Sequence, residues 1–163
     1  MHEKPNTIYI YADGGVRNNQ IKNNIGAWAS VIRYNGKEKS FYQAIINTTN
    51  NKAELLSAIN GLKKVSNTTI DTFVIMDSQY VIEGYNVWSK KWQTNGWLKS
   101  DNKTVENKEL WIELLKEASR FERIWFVKCA GHKNEDCNNK ADELCNYTMN
   151  NYEESIKYNE LNL

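Results

Sequence analysis

The chain has 163 residues, of which 21 are Lys or Arg and 20 are Asp or Glu, for a formal net charge of +1. One ordinary domain of that size buries roughly 70% of the surface of its unfolded chain, so it needs no disulfide or metal staple to fold. The near-neutral balance excludes a blanket polycation, no apolar run approaches the roughly 20 residues of a membrane span, and the start Met-His-Glu-Lys-Pro-Asn lacks the apolar segment of a signal peptide. These features predict a cytoplasmic protein with no membrane partner, whose nucleic-acid contacts, if it has any, come from local charge patches. The absence of an evident apolar patch predicts a monomer.

The first element is Ile8 to Gly15, Ile-Tyr-Ile-Tyr-Ala-Asp-Gly-Gly, a β-branched and aromatic run that reads as a strand ending at Asp13. An acid at the end of a buried strand is either a turn former that accepts backbone N–H bonds or a metal ligand, and only further acids at the same place favour the second. Val16 to Asn24 reads as a polar loop. Ile25 to Tyr34 and Lys37 to Ile46 read as two antiparallel strands closed by Asn35-Gly36, since Asn-Gly between strand-like runs is a strong hairpin signal. From Asn51 the period changes: Leu55, Leu56, Ile59 and Leu62 mark one buried helical stripe, with Thr49, Asn50 and Asn51 as candidate caps.

Asp71 to Asp77 is a compact apolar strand that again ends on an acid, and Ser78 to Tyr85 reads as a helix. Trp88 to Lys103 interleaves tryptophans and lysines; Lys90, Lys91, Lys99 and Lys103 outweigh Asp101 by three charges. Asn107 to Phe121 is an amphipathic helix with Leu110, Trp111, Leu114, Leu115 and Ala118 inward, Arg123 to Ala130 a last strand, and Asn138 to about Asn151 a last helix. The polar residues 151–163 are expected to fray or dock loosely. Strands and helices in the order β-β-β-α-β-α-α-β-α require a five-stranded mixed α/β sheet flanked by helices, in a single domain over 1–163 with its core at about 6–150.

Four acids fall where this topology directs side chains to one sheet edge. Asp13 and Asp77 end neighbouring strands, Glu54 stands one residue off the first helix stripe beside the small Ala58 and Gly61, and Asp142 opens the last helix. Each has an ordinary reading: Glu54 completes a capping box with Asn51, Asp77 caps the helix it precedes, and Asp142 favours a helix N-terminus. Together, unpaired carboxylates would repel, and hard divalent cations relieve that repulsion. His132, on the loop before Asp142, is either a surface histidine or a group placed to move protons.

The three cysteines, Cys129, Cys137 and Cys145, include no C-x-x-C pair and are expected to be free thiols in a reducing compartment. Cys129, His132, Cys137 and Cys145 can also be written as a four-ligand zinc site. Against that stand the strand-end position of Cys129 and the apolar helix face that carries Cys145.

Asp13-Gly-Gly, Thr48-Thr-Asn-Asn-Lys-Ala-Glu54-Leu, Asp77-Ser-Gln-Tyr-Val, Gly131-His132 and Ala141-Asp142-Glu-Leu, in that order, resemble ribonuclease HI, the type 1 ribonucleases H, across residues 6 to 150. The resemblance implies a ribonuclease H-like fold and endonucleolytic hydrolysis of the RNA strand of an RNA/DNA hybrid to 5′-phosphate and 3′-hydroxyl ends. It implies Asp13, Glu54, Asp77 and Asp142 as ligands of two Mg²⁺ ions, with Mn²⁺ as a substitute, and His132 as the assisting histidine. Thr49, Asn51 and Gln79 match positions that contact the hybrid. Trp88, Lys90, Lys91, Trp92, Trp97 and Lys99 fall in a segment similar to the basic protrusion of the bacterial-type enzymes, where lysines neutralise phosphates. The chain departs from the family pattern after Gly15 and again at Lys133-Asn134. The alternative function is a hybrid-binding module that keeps the fold without turnover; an integrase or resolvase relative fits the protrusion less well.

Overall fold

The computed structural model describes residues 2–17, 24–129 and 138–161, and within these five strands form one sheet in the order β3-β2-β1-β4-β5. Strands β1 (Ile8–Arg17), β2 (Ile25–Tyr34) and β3 (Lys37–Ile46) are an antiparallel meander. Asn35 and Gly36 at the hairpin both have positive φ, 49° and 78°, the left-handed pair whose twist matches that of the flanking strands. Strands β4 (Thr72–Met76) and β5 (Ile124–Lys128) run parallel to β1, as helical crossovers require.

The central strand is covered on both faces, which is why its sequence reads as a continuous apolar run rather than an alternation. Ile8, Ile10 and Ala12 pack with helices α1 (Asn50–Lys63) and α4 (Lys108–Ala118), around Leu55, Ile59, Leu62, Trp111 and Leu114. Tyr9 and Tyr11 lie in a second cluster with Ala141, Cys145 and Met149 of helix α5 (Asn139–Leu161). Thr49 is the α1 cap: its hydroxyl accepts from the Lys52 N–H at 3.2 Å. At the other end Arg120 donates to the Leu62 and Val65 carbonyls, so a cation closes the negative end of the helix.

Three differences from the sequence expectation concern boundaries. First, β1 does not stop at Asp13. Its ladder with β2 continues through Asp13↔Ala29 and Gly14↔Trp28 to Arg17↔Ile25, because glycine fits an extended strand where another backbone presses on it. Second, the helix after β4 does not end at Tyr85. α2 (Gln79–Glu83) passes through a π-helical turn, Gly84–Trp88, into α3 (Ser89–Thr94). A Cβ on Gly84 would lie 2.2 Å from the Trp111 ring, and the turn widens where that indole sits against it. Third, α5 runs to Leu161 instead of fraying after Asn151. Arg17 donates to Asn150 Oδ1 at 2.6 Å and pairs with Glu153 at 3.4 Å, polar anchors that a search for apolar ones passes over.

One cysteine also differs from expectation, while another meets it. Cys145 is a buried free thiol, but Cys129 is disulfide-bonded, a pairing that sequence spacing without a C-x-x-C motif did not suggest. Among the described residues, no helix is long and apolar enough to cross a membrane.

Candidate active site

The site forms where β1 loses a neighbour. Pairing of β1 with β4 runs from Ile8↔Thr72 to Tyr11↔Ile75 and stops, while pairing with β2 continues. Asp13 therefore stands two residues past the last β4 partner, and β4 itself ends at Met76, immediately before Asp77. Asp77 is exposed and does not cap α2; that role belongs to Ser78, whose hydroxyl accepts from the Val81 N–H at 3.2 Å. The carboxyl ends of adjacent parallel strands are the ligand-binding edge of an open α/β sheet.

Glu54 comes from the first turns of α1. It is not half of a capping box, since Thr49 makes the cap. The residue is only 7% exposed, and its Oε2 is buried with no hydrogen-bond partner among the described residues. The space expected beside Gly61 is not vacant: Ile10 and Ser30 fill the place of its missing Cβ. Close approach at this site comes from Gly14, where a Cβ would lie 2.3 Å from the Ala53 carbonyl carbon. Only glycine lets β1 lie against the turn of α1 that carries Glu54. Asp-Gly-Gly signals this in the sequence, although there it reads as a turn.

Asp142 lies in the first turn of α5, and one turn on, the Cys145 thiol approaches the Asp13 carbonyl at 3.4 Å and the Ala27 carbonyl at 3.8 Å. That contact seats α5 on the strand bearing Asp13. Burial, followed by the Asp13, Glu54 and Asp142 charges, pushes the thiol far above its ordinary range, so it remains a neutral donor.

The electrostatics show which acids meet. Burial first, then the Asp142 charge, raises Asp13 to about 7, and Glu54 also acts on it, in the opposite direction. Burial first, then the Asp13 charge, raises Glu54 to about 9, and Asp77 also contributes to that rise. The Gly14 backbone amide faces both carboxyls and opposes both shifts. Glu54 and Asp142 thus both lie close enough to Asp13 to perturb it, with Asp77 close enough for its charge to be felt at Glu54. The crowded carboxyls disfavour one another's ionisation, and no three His, Cys, Asp or Glu side chains among the described residues close into an ion cage. His132 and Cys137 lie outside the described residues.

The expected contact residues divide. Thr49 and Gln79 are exposed, and Asn51 is partly buried. Gln79 spans two partners, donating to Glu83 Oε2 at 3.2 Å and accepting from Lys128 Nζ at 3.4 Å. Lys128 is a cation at this edge that the sequence reading missed, because it appears there only as the end of an apolar strand. Trp88 is 46% exposed, whereas Trp92 packs on Trp97 and Trp111 with ring centroids 5.9 and 5.3 Å away. Lys90 and Lys91 face solvent, and Lys99 has Glu106 at 4.0 Å.

The family model for RNase H matches residues 5–150, which takes in all four acids. The chain belongs to the ribonuclease H family. It is 37% identical over 147 residues to the ribonuclease H of Francisella tularensis subsp. novicida, covering 90% of this chain and 93% of that one. Among solved structures it is similar to LC9-RNase H1, a type 1 RNase H with the type 2 active-site motif, at a TM-score of 0.77 and 21% identity, over 93% of this chain and 75% of that one. LC11-RNase H1, solved in complex with an RNA/DNA hybrid, gives a TM-score of 0.65 at 25% identity, over 89% of this chain and 98% of that one. The five-stranded mixed sheet with flanking helices is the ribonuclease H fold, and membership makes the chain a nuclease.

Proposed function

We propose that the protein hydrolyses the RNA strand of RNA/DNA hybrids endonucleolytically, leaving 5′-phosphate and 3′-hydroxyl ends. The observation that carries this reading is the meeting of Asp13, Glu54 and Asp142, with Asp13 raised by burial and by the Asp142 charge, Glu54 raised by burial and by the Asp13 charge, and one buried oxygen of Glu54 unpartnered. A buried orphan oxygen among crowded acids fits divalent cations with hard oxygen preference. Asp13, Glu54, Asp77 and Asp142 would hold two Mg²⁺ ions, with Mn²⁺ as a substitute. Bound there, the ions supply activation of a water and neutralisation of charge at the phosphate.

The remaining steps belong to the chain. Gly14 keeps β1 and α1 close enough for Asp13 and Glu54 to share one site, and the Cys145 contact seats the helix that brings Asp142. His132 moves a proton away from the reaction or assists product release. Thr49, Asn51 and Gln79 reach a wide A-form-like minor groove, where 2′-hydroxyls identify the RNA strand. Lys90, Lys91 and Lys99 take phosphates of the DNA strand, Trp88 offers a stacking surface, and Trp92 and Trp97 hold the protrusion together. The protein works as a monomer in the cytoplasm, which light scattering and fractionation test.

The intact acid set disfavours the alternative, a binding module without turnover. The test is end-group analysis of a labelled hybrid after incubation with Mg²⁺. The reading predicts 5′-phosphate products from the wild type and none in EDTA or from Asp13→Asn; binding without products would favour the inactive module.

A further inference from the structure

Glu54 reaches the acid cluster from a helix, and a helix resting on a sheet through apolar contacts alone can shift by fractions of an ångström at little cost. One hydroxyl with no solvent exposure crosses the interface and limits that movement, and a second, equally buried, braces the helix turn behind it. Ser30 of β2 donates to the Ser57 carbonyl at 2.5 Å, and Ser57 donates to the Glu54 carbonyl at 2.6 Å. The chain of bonds runs from the sheet, through one turn of α1, to the backbone of the residue whose carboxylate enters the site. Gly61, one turn further on, makes it possible: a Cβ there would stand 3.0 Å from Ser30 Oγ and 2.8 Å from Ile10 Cγ2. Hydrogen bonds in a dry interface are directional and cannot be exchanged for bonds to water, so they fix a register that dispersion contacts leave soft. The carboxylate needs this because its Oε2 has no partner of its own.

We propose that Ser30 and Ser57 are positioning residues for Glu54, and that their hydrogen-bond chain sets the affinity of the acid cluster for divalent cations. The inference rests on the reading of Glu54 as a metal ligand. Neither serine touches the reacting atoms. Both act through the backbone, on the distance between the Glu54 carboxylate and Asp13.

The test uses Ser30→Ala, Ser57→Ala and the double variant, all small changes in a well-packed interface. Mn²⁺ is titrated calorimetrically into the substrate-free protein, and the Mg²⁺ requirement and KM for hybrid cleavage are measured beside melting in EDTA. Outer partners of metal ligands typically change affinity by 10- to 100-fold; acting through backbone, each serine is expected to raise the Mn²⁺ dissociation constant about three- to tenfold. The KM for hybrid stays unchanged, and the double variant is no worse than the weaker single one, because the bonds act in series. Mn²⁺ affinity equal to wild type in both single variants overturns the proposal even if melting temperature falls, since that is a purely structural role. Effects that multiply in the double variant also overturn it. A wild type that binds Mn²⁺ but cleaves no hybrid would defeat the proposed activity, and the calorimetric comparison would still decide the role of the serines.

Discussion

Replacing Glu54 by Gln should stabilise the metal-free protein, and by an amount that depends on pH. In the unfolded chain this carboxyl loses its proton near the ordinary value of 4.5; in the fold it keeps it to about 9. The raised value means that nothing is lost below pH 4.5, and that stability falls as pH climbs from there until the folded group itself ionises. At pH 7 the gap of about 2.5 units corresponds to roughly 3 kcal/mol against folding. Gln has the same shape and never ionises. Glu54→Gln should therefore gain roughly 3 kcal/mol at pH 7 and much less at pH 4.5, or about 6–12 °C in melting temperature for a chain of this size. Calorimetric melts in EDTA at the two pH values read the difference, and effects common to both proteins cancel. A variant that melts at or below wild type at pH 7, or gains equally at both pH values, would refute the reasoning. Excess Mg²⁺ should close the gap by stabilising the wild type alone.

Gly14→Ala should lose about 1–3 kcal/mol in urea unfolding and most of its cleavage, because a methyl group 2.3 Å from the Ala53 carbonyl carbon forces α1 off β1. Trp92→Ala should cost about 3 kcal/mol, since its ring packs on Trp97 and Trp111, while exposed Trp88→Ala should change stability by less than about 0.5 kcal/mol and weaken only hybrid binding; thermal melts and binding titrations separate the two. Lys90→Ala and Lys91→Ala should each lower the slope of log affinity against log salt by about one, and an unchanged slope would remove the protrusion from the phosphate contacts.

The sheet was legible because its signals are local. Asn35-Gly36 announces the hairpin, the helical stripe from Leu55 to Leu62 announces α1, and the apolar runs ending at Asp13 and Asp77 announce the parallel strands. Less legible was whatever depends on a partner distant in sequence. Gly14 and Gly61 read as permissive residues, yet what requires glycine at each is another segment pressed against it, Ala53 in one case and Ser30 with Ile10 in the other. Residues 151–161 read as a tail because helix α5 is held there by Arg17, more than 130 positions earlier. Among the tryptophans, nothing in sequence separates exposed Trp88 from packed Trp92. The acids are the opposite case: each is ambiguous alone, and they point to one edge only once the strand order is assembled.

On the proposed function, this cluster of acids cleaves RNA in hybrids with the help of divalent cations. The most direct test offers the protein a labelled RNA/DNA hybrid beside duplex RNA, duplex DNA and single-stranded RNA, with Mg²⁺ or EDTA, and compares wild type with Asp77→Asn, an exposed substitution that leaves the core untouched. Cleavage of the RNA strand of the hybrid alone is expected, abolished by EDTA and by Asp77→Asn while both proteins melt alike. Cleavage that persists in EDTA or in the variant, or that spreads equally to the other substrates, would contradict it.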